Sequence, residues 1–262
     1  MKQIRAKTKQ RNRILIGIPM TGTLRSEWHL SYVGLATPCN WSAAYSVRPL
    51  DHTSPMDFLV ADARNIVADQ AIKGEFDWLL FVDHDVCLPY NTLQVFNRYM
   101  RDSKTPIVGG LYFTRGVPSE PLLYRGLGTS CYTKWKIGDK VWVDGMGLGC
   151  NLLNVKLLKA MWEDCPEYQV EPGVRPRRLF ETPSTSFLDP ETGAVHKYAG
   201  TEDLHFYHRL YNGEYYAKAG FPQIQKRKYP LLCDTSLFCT HICMSGIRYP
   251  SHGEEREFMP KK

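Results

Sequence analysis

The chain of 262 residues has 43% hydrophobic and 23% charged side chains, with 33 Lys and Arg against 27 Asp and Glu for a net charge of +6. That balance excludes a wholly disordered protein and suits one large α/β domain. No apolar run approaches the roughly 20 residues needed to cross a bilayer and no apolar segment follows the charged N-terminus, so the expectation is a cytoplasmic protein with no transmembrane segment.

Residues 1–13 form a basic arm: Lys2, Arg5, Lys7, Lys9, Arg11 and Arg13 occur with no acid among them. Such an end is ordinarily solvated and mobile, and the functional alternative is contact with an anionic partner such as nucleic acid. One main domain is expected over 14–250, followed by a charged tail at 251–262. Its first strand is Ile14 to Ile18, ended by Pro19 and Gly22. Residues 23–53 show no clear period and read as loop with short elements of undefined bounds. A helix follows, with Ser54 as cap, Pro55 at its first position, Asp57 in its first turn and Gly74 past its end. Arg64 and Asn65 fall mid-helix, where a polar pair taken alone reads as a solvated face.

Trp78 to Val82 is a continuous apolar block, as expected of a strand buried on both faces. Asp83 and Asp85 flank His84 just past its carboxyl end, where open α/β sheets place ligands. Residues two apart in an extended segment point the same way, so both carboxylates could face one ion. Hard divalent cations that hold phosphates take such oxygen ligands. The bland reading is that these are turn and cap residues.

Leu93, Phe96 and Met100 mark a second helix, and Pro106 to Phe113 contains a strand in which Gly109 and Gly110 allow a bend or a close approach to a ligand. Lys140 to Val143 is another strand, running into Asp144-Gly-Met-Gly-Leu-Gly149, whose glycines fit a close-packed loop better than a dinucleotide cradle. Asn154 to Trp162 reads as a short helix. Residues 163–200 hold five prolines and little periodicity, the pattern of a lid or substrate loop. At Gly200-Thr-Glu-Asp203 a helix opens, capped by Thr201 and closed by Gly213; capping explains one of the acids but does not need both. Leu231 to Ile242 is a late strand carrying His241. Cys239, His241 and Cys243 alternate as a soft-metal site would, without a fourth ligand at a recognisable spacing. The eight cysteines include no CxxC pair and read as thiols in a reducing compartment.

Four segments, ILIGIPMTG, ARNIVADQAI before DWLLFVDHD, GGLYFTRG, and GTEDLHFYHRL followed by CTHI, together resemble the nucleotide-sugar-dependent glycosyltransferases of the GT-A fold, particularly the family 2-like group. The resemblance runs from about Arg13 to His241 and implies an open, mostly parallel, Rossmann-like twisted sheet flanked by helices. It further implies transfer of a sugar from a nucleoside-diphosphate sugar to an acceptor hydroxyl, metal-dependent and inverting. By the same resemblance Asp83 and Asp85 form the DxD motif, and His241 completes a shell for Mn²⁺ or Mg²⁺. Pro19, Thr21, Arg64 and Asp83 lie where the donor is held. Glu202 and Asp203 match the catalytic pair, Asp203 being the base. The acceptor stays open among a glycan, a protein and a hydroxylated DNA base. For a base lifted out of the stack, the 163–200 segment with Tyr198, Phe206 and Tyr207 could form the receiving pocket.

Two alternatives remain at this stage. LLFVDHDV also fits the first motif of haloacid-dehalogenase-like phosphatases, with Asp83 as nucleophile. A second alternative is a protein that binds a sugar or nucleotide without turnover.

Overall fold

The computed structural model describes residues 12–37, 51–126, 128, 130–188 and 195–254, with side chains omitted over 185–199. All of the expected basic arm before residue 12, and the expected tail beyond 254, lie outside the described residues. The first half of the chain contains β1 (Ile14–Gly17), α1 (Ser26–Val33), β2 (Asp51–Thr53), α2 (Val60–Lys73), β3 (Trp78–Val82), β4 (Val86–Cys87), α3 (Thr92–Asp102), β5 (Ile107–Leu111) and β6 (Leu123–Tyr124). Then come β7 (Lys140–Val143), β8 (Gly145–Met146), β9 (Cys150–Asn154), α4 (Val155–Trp162), β10 (Ser184–Leu188) and β11 (Val195–Ala199). The chain closes with α5 (Glu202–Asn212), α6 (Tyr215–Lys218), α7 (Pro222–Gln225), β12 (Leu231–Phe238), β13 (Thr240–Ile242) and β14 (Arg248–Tyr249).

Seven strands form the main sheet in the order β2-β1-β3-β9-β5-β12-β7. Five run one way, and β9 and β7 run the other. Alternation along each strand divides the core between the two faces of this sheet. Leu15, Leu79 and Phe81 pack on one side with Val67 and Ala71 of α2 and Leu157 and Leu158 of α4. Ile14, Ile16, Trp78, Leu80 and Val82 pack on the other with Trp28 of α1 and Leu93, Phe96 and Met100 of α3. The outcome is the mostly parallel sheet covered by helices that the resemblance implies.

Several expectations need correction. The helix expected from Ser54 begins at Val60, because Met56 makes a parallel bridge with Met20 and Asp57 adopts a left-handed backbone. Within the segment read as loop, α1 forms and anchors itself by a hydrogen bond of 2.8 Å from Trp28 Nε1 to the Asp83 carbonyl. Cys150 to Asn154 is strand β9, wedged antiparallel between β3 and β5. Asn154 then caps α4, its side chain accepting from the Lys156 amide at 3.0 Å. Gly109 and Gly110 lie inside the sheet, where an added Cβ would meet Met146 and the thiols of Cys150 and Cys239.

The proline-rich segment divides in two. Over residues 163–183 it packs onto the body, with Cys165, Leu179 and Phe180 buried, while β10 and β11 pair as an antiparallel hairpin. Tyr198 lies in the range whose side chains are not described. Phe206 and Tyr207 are core residues at 0% and 2% exposure, so they offer no surface for a base. Arg13 is docked rather than part of a free arm: its guanidinium donates to the Gly74 carbonyl at 2.7 Å and lies over the Phe76 ring.

Candidate active site

The parallel strands β1, β3, β5 and β12 deliver their C-terminal ends to one edge of the sheet. From that edge rise Pro19, Asp83, Tyr112 and, one residue past a short break, the strand bearing His241. Gly149, just ahead of the antiparallel β9, enters the same edge, and its carbonyl accepts the Asp83 amide at 3.0 Å.

Residues 83–85 form a tight turn, closed by the Val86 amide donating to the Asp83 carbonyl at 3.0 Å. The two-residue rule for extended chains therefore does not hold here, and the two carboxylates face different partners. Asp83 accepts from Arg64 Nη2 at 3.0 and 3.3 Å on its two oxygens. Asp85 instead forms an ion pair with Arg115 and lies 3.5 Å from His241 Nε2.

Arg64 corrects the solvated-face reading: it is 2% exposed, and Asn65 beside it is 1% exposed. Its Nε donates to Glu202 Oε1 at 3.1 Å, so one guanidinium joins the end of β3 to the start of α5. Burial works against its charge, but the carboxylates of Asp83 and Glu202 hold the guanidinium protonated. Among the described residues no hydrogen-bond partner reaches Nη1.

Thr201 precedes α5 without capping it through its side chain. Its hydroxyl donates to Asp203 Oδ1, which also accepts the Leu204 amide at 2.7 Å. Burial, reinforced by the Glu202 charge and opposed by these hydrogen bonds and by Arg64, pushes the Asp203 carboxyl up to about 6. Between the carboxylates lies the buried hydroxyl of Tyr112, which accepts the Gly149 amide at 2.9 Å and whose pKa is driven upward by burial, then by Asp83 and Asp203. The glycines of the 144–149 loop are explained here. A Cβ at Gly147 would collide with the Tyr112 hydroxyl, and one at Gly149 would come within 2.9 Å of Asp83 Oδ2.

His84 Nδ1 lies 3.1 Å from the Pro19 carbonyl, which can only accept, so Nδ1 carries the proton. In the neutral ring Nε2 is then left to accept from the Thr21 hydroxyl, 3.3 Å away. Pro19 and Thr21 are thus drawn onto the Asp83–Asp85 turn through His84, a residue the sequence assigned no role.

His241 follows the same logic. Its Nδ1 donates to the Phe113 carbonyl at 2.8 Å, which turns the Nε2 lone pair toward Asp85. Burial and the neighbouring Arg115 lower its pKa, favouring the neutral ring. A carboxylate oxygen and an imidazole lone pair converging at 3.5 Å fit a divalent cation. The guanidinium of Arg115 stands beside them, its Nε donating to His241 Nε2 at 3.0 Å. Asp83, bound to Arg64, does not join them, and among the described residues no three His, Cys, Asp or Glu side chains converge as a metal cluster. The soft-metal expectation for Cys239 and Cys243 gains nothing: Cys239 is buried and its thiol faces the Leu237 carbonyl.

Arg115 and Tyr112 were missed from sequence. Both lie within the GGLYFTRG segment, but an arginine on a loop and a tyrosine at a strand end carry no local signal of their partners.

No protein-family model matches the chain, and no curated protein matches it. Among solved structures, A197 from STIV is similar at a TM-score of 0.50 with 17% identity, over 88% of this chain and 86% of that one. S. aureus TarS 1–349 gives 0.36 and 12%, over 62% and 52%. The synthetase of CMP:2-keto-3-deoxy-manno-octonic acid, complexed with CTP, gives 0.29 and 8%, over 86% and 89%. The first of these likenesses supports the fold, and with the observed sheet the chain has a Rossmann-like, GT-A-type α/β architecture. No helix among the described residues is long and apolar enough to cross a membrane.

Proposed function

We propose that this protein is a glycosyltransferase that moves a sugar from a nucleoside-diphosphate sugar to an acceptor hydroxyl, with Asp203 as base. The observation that carries the reading is the junction at Arg64. One buried guanidinium holds Asp83 on the donor side and Glu202 on the acceptor side, with Asp203 next in sequence and primed by its raised pKa. A carboxyl that titrates near 6 is largely ionised at neutral pH yet binds a proton more readily than an ordinary aspartate, as a general base for a hydroxyl requires. Thr201 and the Leu204 amide hold Oδ1, so Oδ2 is the oxygen that takes the proton.

On the donor side, Pro19 and Thr21 flank the nucleotide and are held to the Asp83–Asp85 turn by His84. Asp85 and His241 would hold Mn²⁺ or Mg²⁺, which when bound supplies positive charge to the departing diphosphate. An attack opposite the leaving group inverts the anomeric centre. The acceptor class is a glycan, a protein or a hydroxylated DNA base, and residues 2–12 supply the positive charge that a nucleic acid would require.

The test is incubation with a panel of nucleotide sugars and Mn²⁺, scoring released diphosphate, with p-nitrophenyl phosphate as phosphatase control. Release lost in Asp85→Asn supports the proposal. Phosphatase activity lost in Asp83→Asn, with no use of any nucleotide sugar, would replace it by the phosphatase reading. That rival requires a free nucleophilic Asp83, whereas both of its oxygens accept from Arg64.

A further inference from the structure

The cation between Asp85 and His241 is the least explained feature of the site. The two groups around it are firmly built in. Asp85 is tied to β13 by the Ile242 amide, which donates to its carbonyl at 2.7 Å, and His241 pairs across the ladder with Val86. Both side chains are mostly buried, at 16% and 12% exposure. Arg115 differs from both. Its side chain is 48% exposed and stands near the tip of the loop that leaves β5 and folds back on itself. The return of that loop is fastened by the Thr114 amide to the Glu120 carbonyl at 2.8 Å and the Leu122 amide to the Tyr112 carbonyl at 3.0 Å. Its far side is pinned by Glu254, which accepts from the Ser119 hydroxyl at 2.8 Å and the Ser119 amide at 3.2 Å. The loop base is therefore fixed while the guanidinium stays on a long side chain open to water.

Arg115 also takes up the two atoms that a metal ion would use. Its Nη2 pairs with Asp85 Oδ2 and its Nε donates to His241 Nε2, so both ligand atoms are committed to one guanidinium. Arginine does not lose its proton in proteins, so it can vacate this place only by swinging away. Outward from the pair, its fork of N–H donors matches phosphate oxygens.

We propose that Arg115 is a tethered cation gate: in the free protein its guanidinium fills the place between Asp85 and His241, and a divalent ion arriving with the nucleoside diphosphate displaces it onto the diphosphate oxygens. The inference rests on the glycosyltransferase reading of this site and adds an order of events to it. The preformed anionic pocket is kept neutralised until the donor arrives, and the displaced charge is then reused rather than lost.

Calorimetric titration of the full chain with MnCl₂ alone, and then with UDP, GDP, CDP and dTDP in excess Mn²⁺, tests this, with wild type, Arg115→Ala, Arg115→Lys and Asp85→Asn side by side. The expected result is opposite signs in the two titrations. Arg115→Ala binds Mn²⁺ alone about tenfold more tightly, because no internal cation competes, and binds the favoured diphosphate about tenfold more weakly, because a charge-assisted contact is missing. Arg115→Lys, which keeps the charge without the fork, falls between on both axes. Unchanged melting curves show that the exposed side chain has no structural role behind the effect. Equal Mn²⁺ affinity in wild type and Arg115→Ala, with binding abolished in Asp85→Asn, overturns the gate and leaves the metal-assisted transferase intact. If Mn²⁺ binds none of the proteins even with diphosphate present, the gate and the metal-assisted reading both fall.

Discussion

Arg64 and Asp203 show how a buried site sets the chemistry of single residues. With Asp83 and Glu202 both on its guanidinium, Arg64→Met strands two carboxylates in a largely dry place, and unfolding in urea should show a loss of about 3–5 kcal/mol. Arg64→Lys keeps the charge but cannot serve both partners from one planar fork, and should lose less. Asp203 has the reverse sign. Its folded pKa of about 6 exceeds the ordinary 3.8, so between those values the folded protein binds more protons than the unfolded chain. Stability from this group is therefore highest in acid and declines as pH rises through that window. Asp203→Asn should raise the melting temperature at pH 7 while lowering transfer by about 10²–10⁴-fold, the usual worth of a general base. In the wild type, transfer should climb with pH through about 6 and then level off, and a pH–rate profile checks this.

At the scale of elements, α2 does two jobs with adjacent residues. Arg64 faces the carboxylates, while Asn65 clamps the segment at 163–183: its Oδ1 accepts the Phe180 amide at 2.7 Å, and its Nδ2 donates to the Phe180 carbonyl at 2.8 Å and to the Tyr168 hydroxyl at 2.9 Å. Tyr168 passes the connection on to Asp62, one turn earlier on the helix. Phe180, so held, packs edge-on against Phe81 and at a tilt against Phe206 beneath the Arg64 junction. Asn65→Ala leaves two buried backbone groups of Phe180 without partners, which should cost about 1–3 kcal/mol and speed limited proteolysis between residues 163 and 183. Tyr168→Phe, which removes only the outer link, should do so to a lesser degree. The clamp helps explain why a proline-rich stretch without periodicity is packed: the Asn65 side chain completes backbone pairing that the segment also makes within itself, from the Arg178 amide to the Pro166 carbonyl at 3.0 Å and from the Tyr168 amide to the Pro176 carbonyl at 3.1 Å.

For the molecule as a whole, β9 is the element that joins the halves of the sheet. It pairs with β3 on one side and β5 on the other, and each of its five residues is buried. Amides of Leu152 and Leu153 should therefore be among the slowest to exchange with deuterated solvent, slower than those of the edge strand β2, which a native-state exchange experiment can rank. From sequence β3 reads as a buried strand and β5 as a strand interrupted by two glycines. β9 does not read as a strand, because CNLLN sits between a glycine-rich loop and a helix cap and its apolar residues number too few to show a period.

Local sequence determined the apolar block at 78–82, the acids at its end and the apolar faces of α3 and α4, since these depend on patterns within a few residues, whereas the fold class followed from the order of four segments spread over most of the chain. Tertiary structure decided the pairing of charges. A turn at 83–85 sent Asp83 and Asp85 to different arginines, one from a helix 19 residues earlier and one from a loop 30 residues later. Which cation meets which carboxylate depends on how distant segments are brought to one edge of the sheet, and burial then fixes what each charge is worth; neither is written in the spacing of neighbouring residues.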